Sequence, residues 1–141
     1  MNAPLYTTEI LRLAASLPEP VALDRVDGSA EERSPTCGST VMVEVQIDEN
    51  GRLVAISQNV QACAFGQASA ALLAAGASGR TCDQVVQAVN ELSGWLEGSR
   101  DDPGRWSGLA ALAPARTRRS RHGAILLPFR ALASAMKGGG G

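Results

Sequence analysis

Apolar and polar residues alternate most clearly between positions 41 and 60. Valine or isoleucine occupies every second position from 41 to 47, which is typical of a strand with one buried face. Residues 48–51 read DENG and form a turn, since Asn and Gly tolerate positive φ. Residues 53–60 then form the return strand. This stretch predicts an antiparallel hairpin.

Apolar residues at helical spacing predict helices on both sides of this hairpin. Residues 7–17 form the first helix, which Thr7 or Thr8 caps and Pro18 ends. Residues 64–75 are small and apolar, as in a helix packed tightly against a neighbour. Thr81 and Gln84 form a capping box for a third helix that runs to Leu96. Its inward residues are expected to be Val85, Val86, Val89, Leu92 and Leu96.

The remaining segments complete one domain over residues 1–137. Residues 18–36 form a loop with room for one short edge strand, and residues 109–115 form a short helical turn. The last helix is expected to start near Gly123, because Pro128 belongs in a first turn. Residues 138–141 form a flexible glycine tail. We therefore predict an α+β fold with a small antiparallel sheet of about three strands, covered by helices on one side.

Composition indicates a globular protein of the cytoplasm. The chain has 141 residues and is 45% hydrophobic. This is enough to form one hydrophobic core, and it argues against disorder. No apolar run reaches the length of a membrane span, and the first residues lack a basic start followed by an apolar run, so we expect no signal peptide. Three cysteines, an odd number, argue against a disulfide framework. We expect a cytoplasmic protein that does not bind membranes.

Charge divides the chain into two parts. Residues 1–102 hold all fourteen acidic and six basic residues, a net charge of −8, whereas residues 103–141 hold seven basic residues and no acidic one. Such asymmetry indicates either an acidic partner or pairing between the two parts, and we favour pairing. The basic run at 116–121 contains no aromatic residue for base stacking, so we do not expect nucleic-acid binding.

Two of the cysteines are expected to meet at one end of the hairpin. Cys37 precedes the first long strand and Cys63 follows the return strand. Cys63 also begins a helix, whose dipole favours an anionic sulfur. Two such thiols suit a soft metal or an iron–sulfur cluster. Their spacing matches no compact zinc motif, and by itself it favours two small buried apolar residues.

The motifs around these cysteines resemble those of the U-type iron–sulfur cluster scaffolds, the family of IscU, SufU and the NifU N-terminal domain. Residues 35–39, PTCGS, resemble the Pro-x-Cys-Gly-Asp motif of the family, and residues 62–70, ACAFGQASA, resemble its second cysteine site. Residues 121–132 resemble the Arg-x-x-Cys-x-x-Leu-x-Trp-x-Ala-Leu pattern of the SufU branch. The similarity covers residues 5–136 and implies the IscU/SufU-like fold.

The resemblance implies a metal or cluster site that this sequence alters. Family members bind with three cysteines and one aspartate. Cys37 and Cys63 match two of these ligands, but Ser39 stands in the place of the Asp and Ala124 in the place of the third Cys. His122 or Ser39 is a candidate to complete the ligand set, and Cys82 is a weaker one. Alternatively, two subunits each supply Cys37 and Cys63 across a twofold axis.

The implied function is that of an iron–sulfur assembly scaffold rather than an enzyme. Iron or a cluster, of the 2Fe–2S type, or sulfur would be held by Cys37 and Cys63, with zinc as the alternative metal. A cysteine desulfurase would be the first partner, with Arg121 a candidate for docking, and iron–sulfur recipient proteins would follow. Two alternatives remain open: an adapter that lost cluster binding, and a zinc-dependent sulfurtransferase.

Overall fold

The structure, a computed structural model, describes residues 6–35 and 38–139. These residues form four α-helices, one 3-10 helix and one three-stranded sheet. In chain order the elements are α1 (Thr8–Ala15), β1 (Gly28–Arg33), β2 (Thr40–Ile47), β3 (Leu53–Gln61), α2 (Ala64–Gly76), α3 (Cys82–Glu97), the 3-10 helix (Leu109–Ala115) and α4 (Arg119–Gly139).

The sheet is antiparallel with the strand order β1-β2-β3. Its inner face carries the alternating valines of β2, which are fully buried, as the hydrophobic pattern predicts. The β2–β3 turn follows the predicted DENG sequence, and Gly51 has a φ of 78° there. β1 lies in the segment that had room for one edge strand. The predicted hairpin and edge strand are therefore both confirmed.

Helices cover one face of the sheet. α4 packs on β1 and β2 and also contacts α2 and α3, while α2 contacts β3 and α1. The other face is partly solvent-exposed, and Met42 and Val54 remain nearly half exposed. This one-sided arrangement is the predicted α+β fold, and it places α4 at the centre of the core.

Side-chain caps fix the starts of α1 and α3. The Ile10 N–H donates to Thr7 Oγ1 over 3.1 Å. Thr81 Oγ1 accepts from the Gln84 N–H, while Gln84 Oε1 accepts from the Thr81 N–H. The sequence predicts both caps, because each depends on residues only three positions apart.

The predicted start of α4 is wrong. The helix begins at Arg119, and Pro128 lies well inside it rather than in its first turn. Proline cannot donate the helical hydrogen bond to residue 124, and the Ala124 carbonyl instead lies close to Gly66 of α2. The next carbonyl, of Ile125, accepts a 2.6 Å hydrogen bond from Ser69 Oγ. Packing against α2 thus holds α4 together across its proline.

Two valines of α3 are less buried than predicted. Val85, Leu92 and Leu96 are buried, but Val86 and Val89 are only half-buried. They pack against the edge of the core and also line a groove between α3 and α4. Helical periodicity identifies the face of a helix correctly but cannot show where its neighbours stop covering it.

The expected pairing between the acidic and basic parts of the chain is also wrong. The four ion pairs of the described residues involve Arg25, Arg33 and Arg100, all within residues 1–102. No cation from residue 103 to residue 139 lies within 4.0 Å of a carboxylate in this part of the structure. Arg116 instead donates to the carbonyls of Trp95 and Arg100.

The C-terminal end of α4 includes Gly138 and Gly139, which the sequence analysis assigned to the tail. Gly140 and Gly141 lie outside the described residues. Among the described helices, none has both the length and the apolar character needed to cross a membrane.

Candidate functional site

The two cysteine motifs leave the sheet at the same end. Thr40, the first residue of β2, pairs with Gln61, the last residue of β3. Cys63 follows Gln61 by two positions, and Gly38 precedes Thr40 by two. Cys37 itself lies outside the described residues. The register therefore brings the segments that flank both motifs to one end of the hairpin, as the sequence predicts.

Cys63 is the N-cap residue of α2, with an extended backbone (φ −66°, ψ 173°). Its thiol is free and half-buried, and it does not cap the first turn of the helix. That turn carries no acidic residue, so no side-chain charge opposes the positive end of the helix dipole. The N-terminus of a helix attracts negative charge in general.

Gln67 holds the chain around Cys63 in place. Its backbone N–H donates to the Cys63 carbonyl over 3.0 Å, and its side-chain Nε2 donates to the Ala62 carbonyl over 3.0 Å. Sequence analysis noted this residue only as part of a motif. A glutamine among small apolar helical residues is the signal that could have singled it out as a positioning residue.

Ala124 lies beside the first turn of α2 and is fully buried. A Cβ built on Gly66 would be 3.4 Å from the Ala124 Cβ and 2.6 Å from the Ala62 Cβ. Gly66 is three residues after Cys63, so position 124 belongs to the surroundings of this cysteine. The methyl group of Ala124 offers no metal ligand there.

His122 points to the end of the 3-10 helix. Its Nε2 lies 2.9 Å from the Ala115 carbonyl oxygen and 3.1 Å from that of Arg116. A nitrogen between two carbonyl oxygens acts as a donor, so Nε2 carries a proton in this arrangement. Metal ligation through Nε2 would require both contacts to break.

Ser39 is buried within the loop that enters β2. The Ser34 N–H donates to the Ser39 carbonyl over 2.9 Å, and the Gly38 N–H donates to the Ser34 carbonyl over 3.1 Å. These bonds join the described residues on the two sides of positions 36 and 37. Ligation by Ser39 or His122 stays a prediction.

Cys82 lies on a different part of the molecule. It is the first residue of α3, and its Sγ is 3.9 Å from the Ala133 carbonyl oxygen of α4. Over residues 6–35 and 38–139, no three His, Cys, Asp or Glu side chains are grouped as a metal site would require. Cys63 is therefore the thiol around which the candidate site is built.

A positively charged surface surrounds the start of α4. Arg118 and Arg119 are exposed and Arg121 is half-buried, and the first turn of the helix has no acidic residue. Arg121 lies one helical turn before Ala124, which contacts the first turn of α2. The basic surface is thus adjacent in the fold to the helix that Cys63 begins.

Comparisons with known proteins place this fold among iron–sulfur scaffolds. No protein-family model and no curated protein matches the sequence. The crystal structure of a nitrogen-fixing NifU-like protein (N-terminal) from Brucella abortus is 29% identical and superposes with a TM-score of 0.83, over 94% of this chain and 92% of that one.

A second solved structure agrees in fold. It is assigned as the iron–sulfur cluster assembly scaffold protein for the SUF system of Fervidobacterium islandicum AW-1, and it is 17% identical with a TM-score of 0.83, over 94% of this chain and 96% of that one. With the cysteine motifs and the geometry around Cys63, these similarities lead to one conclusion. The chain has the fold of the U-type iron–sulfur scaffold proteins, which its cysteine motifs also resemble.

Proposed function

We propose that this protein serves iron–sulfur cluster assembly by accepting sulfur from a cysteine desulfurase at Cys63, with Cys37 as the second thiol. The observation that carries the proposal is the free, half-buried Cys63 at the uncapped N-terminus of α2. It lies in a fold that is shared with a NifU-like protein over nearly the whole chain. Sulfur acceptance requires one reachable thiol and no complete metal site.

The transfer is a thiol–disulfide type exchange. The Cys63 thiolate attacks the outer sulfur of the persulfide on the desulfurase, the old S–S bond breaks, and the desulfurase cysteine leaves as a thiolate. Cys63 then carries the sulfur as a persulfide, and no external oxidant or reductant is consumed. The N-terminus of α2 stabilises the negative charge before and after transfer.

The basic surface at the start of α4 supports docking of the desulfurase. Arg118, Arg119 and Arg121 have no carboxylate within 4.0 Å among the described residues, so their charge is available to an acidic partner surface. Complementary charge accelerates encounter and sets orientation. We assign Arg121 to this contact because it lies one helical turn from Ala124, which packs beside Gly66 in the first turn of α2.

A cluster or iron would be the cargo of this site. A 2Fe–2S cluster takes four protein ligands, and Cys63 and Cys37 supply two thiolates. The other two would come from a second copy of the chain or from a docked partner, before the cargo passes to an iron–sulfur recipient protein. Zinc is the alternative metal for the same thiolates.

Burial of Ala124 favours a second candidate function. Ala124 is fully buried at the place where the resemblance expects a third cysteine. Its methyl group cannot replace the missing thiolate ligand. The second candidate is an adapter that keeps the fold and the basic docking surface but carries no cluster. Such an adapter would bind a desulfurase equally well without Cys37 and Cys63.

Anaerobic reconstitution with iron and sulfide separates these functions. We expect the wild-type protein and the Cys82→Ala control to bind iron and sulfide in equal amounts, with a visible charge-transfer spectrum. The Cys37→Ala/Cys63→Ala variant should bind neither. Metal that persists in that variant would contradict the assigned site. No bound metal in any of the proteins, with full desulfurase binding by the variant and no sulfur transferred to Cys63 of the wild type, would establish the adapter.

A further inference from the structure

A groove separates α3 from α4 on the side of the edge strand β1. Its cavity volume is about 310 Å³. The floor is apolar and consists of the half-buried Val86 and Val89 and the methyl group of Ala133. Cys63 follows β3, at the opposite edge of the sheet, so this groove is separate from the cysteine site.

Both walls of the groove are helix faces. On α4 the lining residues are Arg130, Ala133, Ser134 and Lys137, at positions i, i+3, i+4 and i+7. Val86 and Val89 continue the same spacing on α3. Residues at this spacing form one stripe along a helix. Two such stripes with an apolar floor between them match the ridges of a third helix, as in helix-in-groove recognition.

The rim of the groove carries unbalanced positive charge. Arg130 and Lys137 are exposed, and neither has a carboxylate within 4.0 Å in the described part of the chain. The acidic residue that lines the groove, Glu32, accepts a 3.1 Å hydrogen bond from Ser134 Oγ. The two cations are seven positions apart, which corresponds to a rise of about 10.5 Å along α4.

We propose that this groove docks an acidic amphipathic helix of a partner protein. One or two aliphatic side chains of that helix would cover Val86, Val89 and Ala133. Carboxylates two turns apart, on the same face, would pair with Arg130 and Lys137. The positive rim favours an acidic helix over a neutral or basic one. The apolar floor favours an amphipathic helix over a segment that is acidic on all sides. This docking does not depend on sulfur transfer at Cys63.

A synthetic helical peptide tests the proposal on the full chain. The peptide carries two Glu residues seven positions apart with a Leu pair between them, and a scrambled peptide of the same composition is the control. Fluorescence anisotropy measures affinity, and amide NMR shifts locate the contact. We expect the patterned peptide to bind at least tenfold more tightly than the scrambled one, with shifts centred on Val86, Val89 and Ala133.

Charge reversal provides the matched variants. Arg130→Glu/Lys137→Glu should weaken binding of the patterned peptide at least tenfold, and replacing its two Glu residues with Lys should restore it. Arg12→Glu/Arg105→Glu makes the same change in net charge at exposed positions outside the groove and should retain binding. Circular dichroism should show that both double variants keep the fold, and Cys63→Ser should bind the peptide normally.

Several outcomes would overturn the proposal. These are absence of binding at about 1 mM peptide, equal binding of the scrambled peptide, equal loss in both double variants, or NMR shifts outside the groove. A wild-type dimer that Arg130→Glu/Lys137→Glu dissociates in sedimentation would show instead that a second copy of this chain occupies the face.

Discussion

Gly66 sets how closely α4 approaches the helix that begins at Cys63. A Cβ on this residue would lie 2.6 Å from the Ala62 Cβ and 3.3 Å from the Ala124 carbonyl oxygen. Neither neighbour can swing aside, since both atoms belong to or adjoin the backbone. The missing side chain is therefore a packing requirement at the edge of the candidate site.

Gly66→Ala should destabilise the protein by about 1–3 kcal/mol, as overpacking does in a tight interior. Urea unfolding at equilibrium measures the change in free energy. Gly138→Ala is the matched control, because nothing lies within 4 Å of a Cβ built there. An unchanged unfolding midpoint for Gly66→Ala would contradict the packing described between α2 and α4.

Ala124→Cys should increase the amount of zinc or iron that the protein retains. The substitution places a third thiol beside the first turn of α2, close to Gly66. Metal analysis after anaerobic loading measures the gain over wild type. Ala131→Cys, which adds an equally buried thiol elsewhere on α4, should give no increase. Equal metal content in wild type and Ala124→Cys would show that position 124 does not face the site.

Asp27 ties the start of β1 to the end of β2. Its carboxylate accepts from Arg25 Nε over 2.7 Å and from the Ile47 N–H over 2.7 Å. The side-chain hydrogen bond from Arg25, followed by that from Ile47, lowers the pKa of Asp27 below its ordinary value of 3.8. The charged form is thus favoured in the folded state, and protonation of Asp27 weakens the fold.

Asp27→Asn should lower the urea midpoint at pH 7, where the Asp27 stabilisation is fully present. A group with a lowered folded pKa stabilises above its unfolded pKa and loses that effect as pH falls through the folded value. The difference between wild type and variant should therefore shrink below about pH 4. Asp24→Asn, at an exposed position nearby, should match wild type throughout. A difference that is independent of pH would contradict this role of the carboxylate.

At the scale of elements, short-range signals in the sequence are the ones that the structure confirms. The β2–β3 hairpin and the Thr81–Gln84 capping box depend on residues close together in the chain, so the pattern alone specifies them. The start of α4 is not specified by residues close together in the chain. It depends on contacts between α4 and α2, and these allow the helix to continue through Pro128.

The candidate site also has features that the sequence predicts and features that it does not. The sequence predicts the meeting of the two cysteine motifs because β2 and β3 are joined by a tight turn. It does not reveal the contact of His122 with the 3-10 helix or the enclosure of Ala124 by α2. Both depend on how a distant helix packs, which local pattern does not encode.

Ser69 joins α2 to α4 at the proline of α4. Its hydroxyl is fully buried and donates to the Ile125 carbonyl over 2.6 Å. Ser69→Ala should cost about 1–3 kcal/mol of unfolding free energy, because a buried acceptor loses a partner. Ser93→Ala, whose hydroxyl contacts Glu97 on the surface of α3, should change it by no more than about 0.5 kcal/mol. Equal effects at the two positions would contradict a special role for the Ser69 contact.

At the scale of the whole molecule, the division of charge persists in the folded protein. Cations of the C-terminal part surround the start of α4 and line the α3–α4 groove, and none makes an ion pair among the described residues. Such a surface draws acidic partners by long-range attraction, which salt screens. The fold thus combines a thiol at one edge of the sheet with positive surfaces, which both proposals use for docking.

Sulfur transfer to Cys63 tests the central claim most directly. The protein would be incubated without oxygen with a cysteine desulfurase and sulfur-35 cysteine, and its cysteine peptides would then be separated and counted. We predict label as a persulfide on Cys63, lost in Cys63→Ser and retained in Cys82→Ser. Absence of label from Cys63, or label on Cys82 that survives in Cys63→Ser at the wild-type amount, would contradict the account.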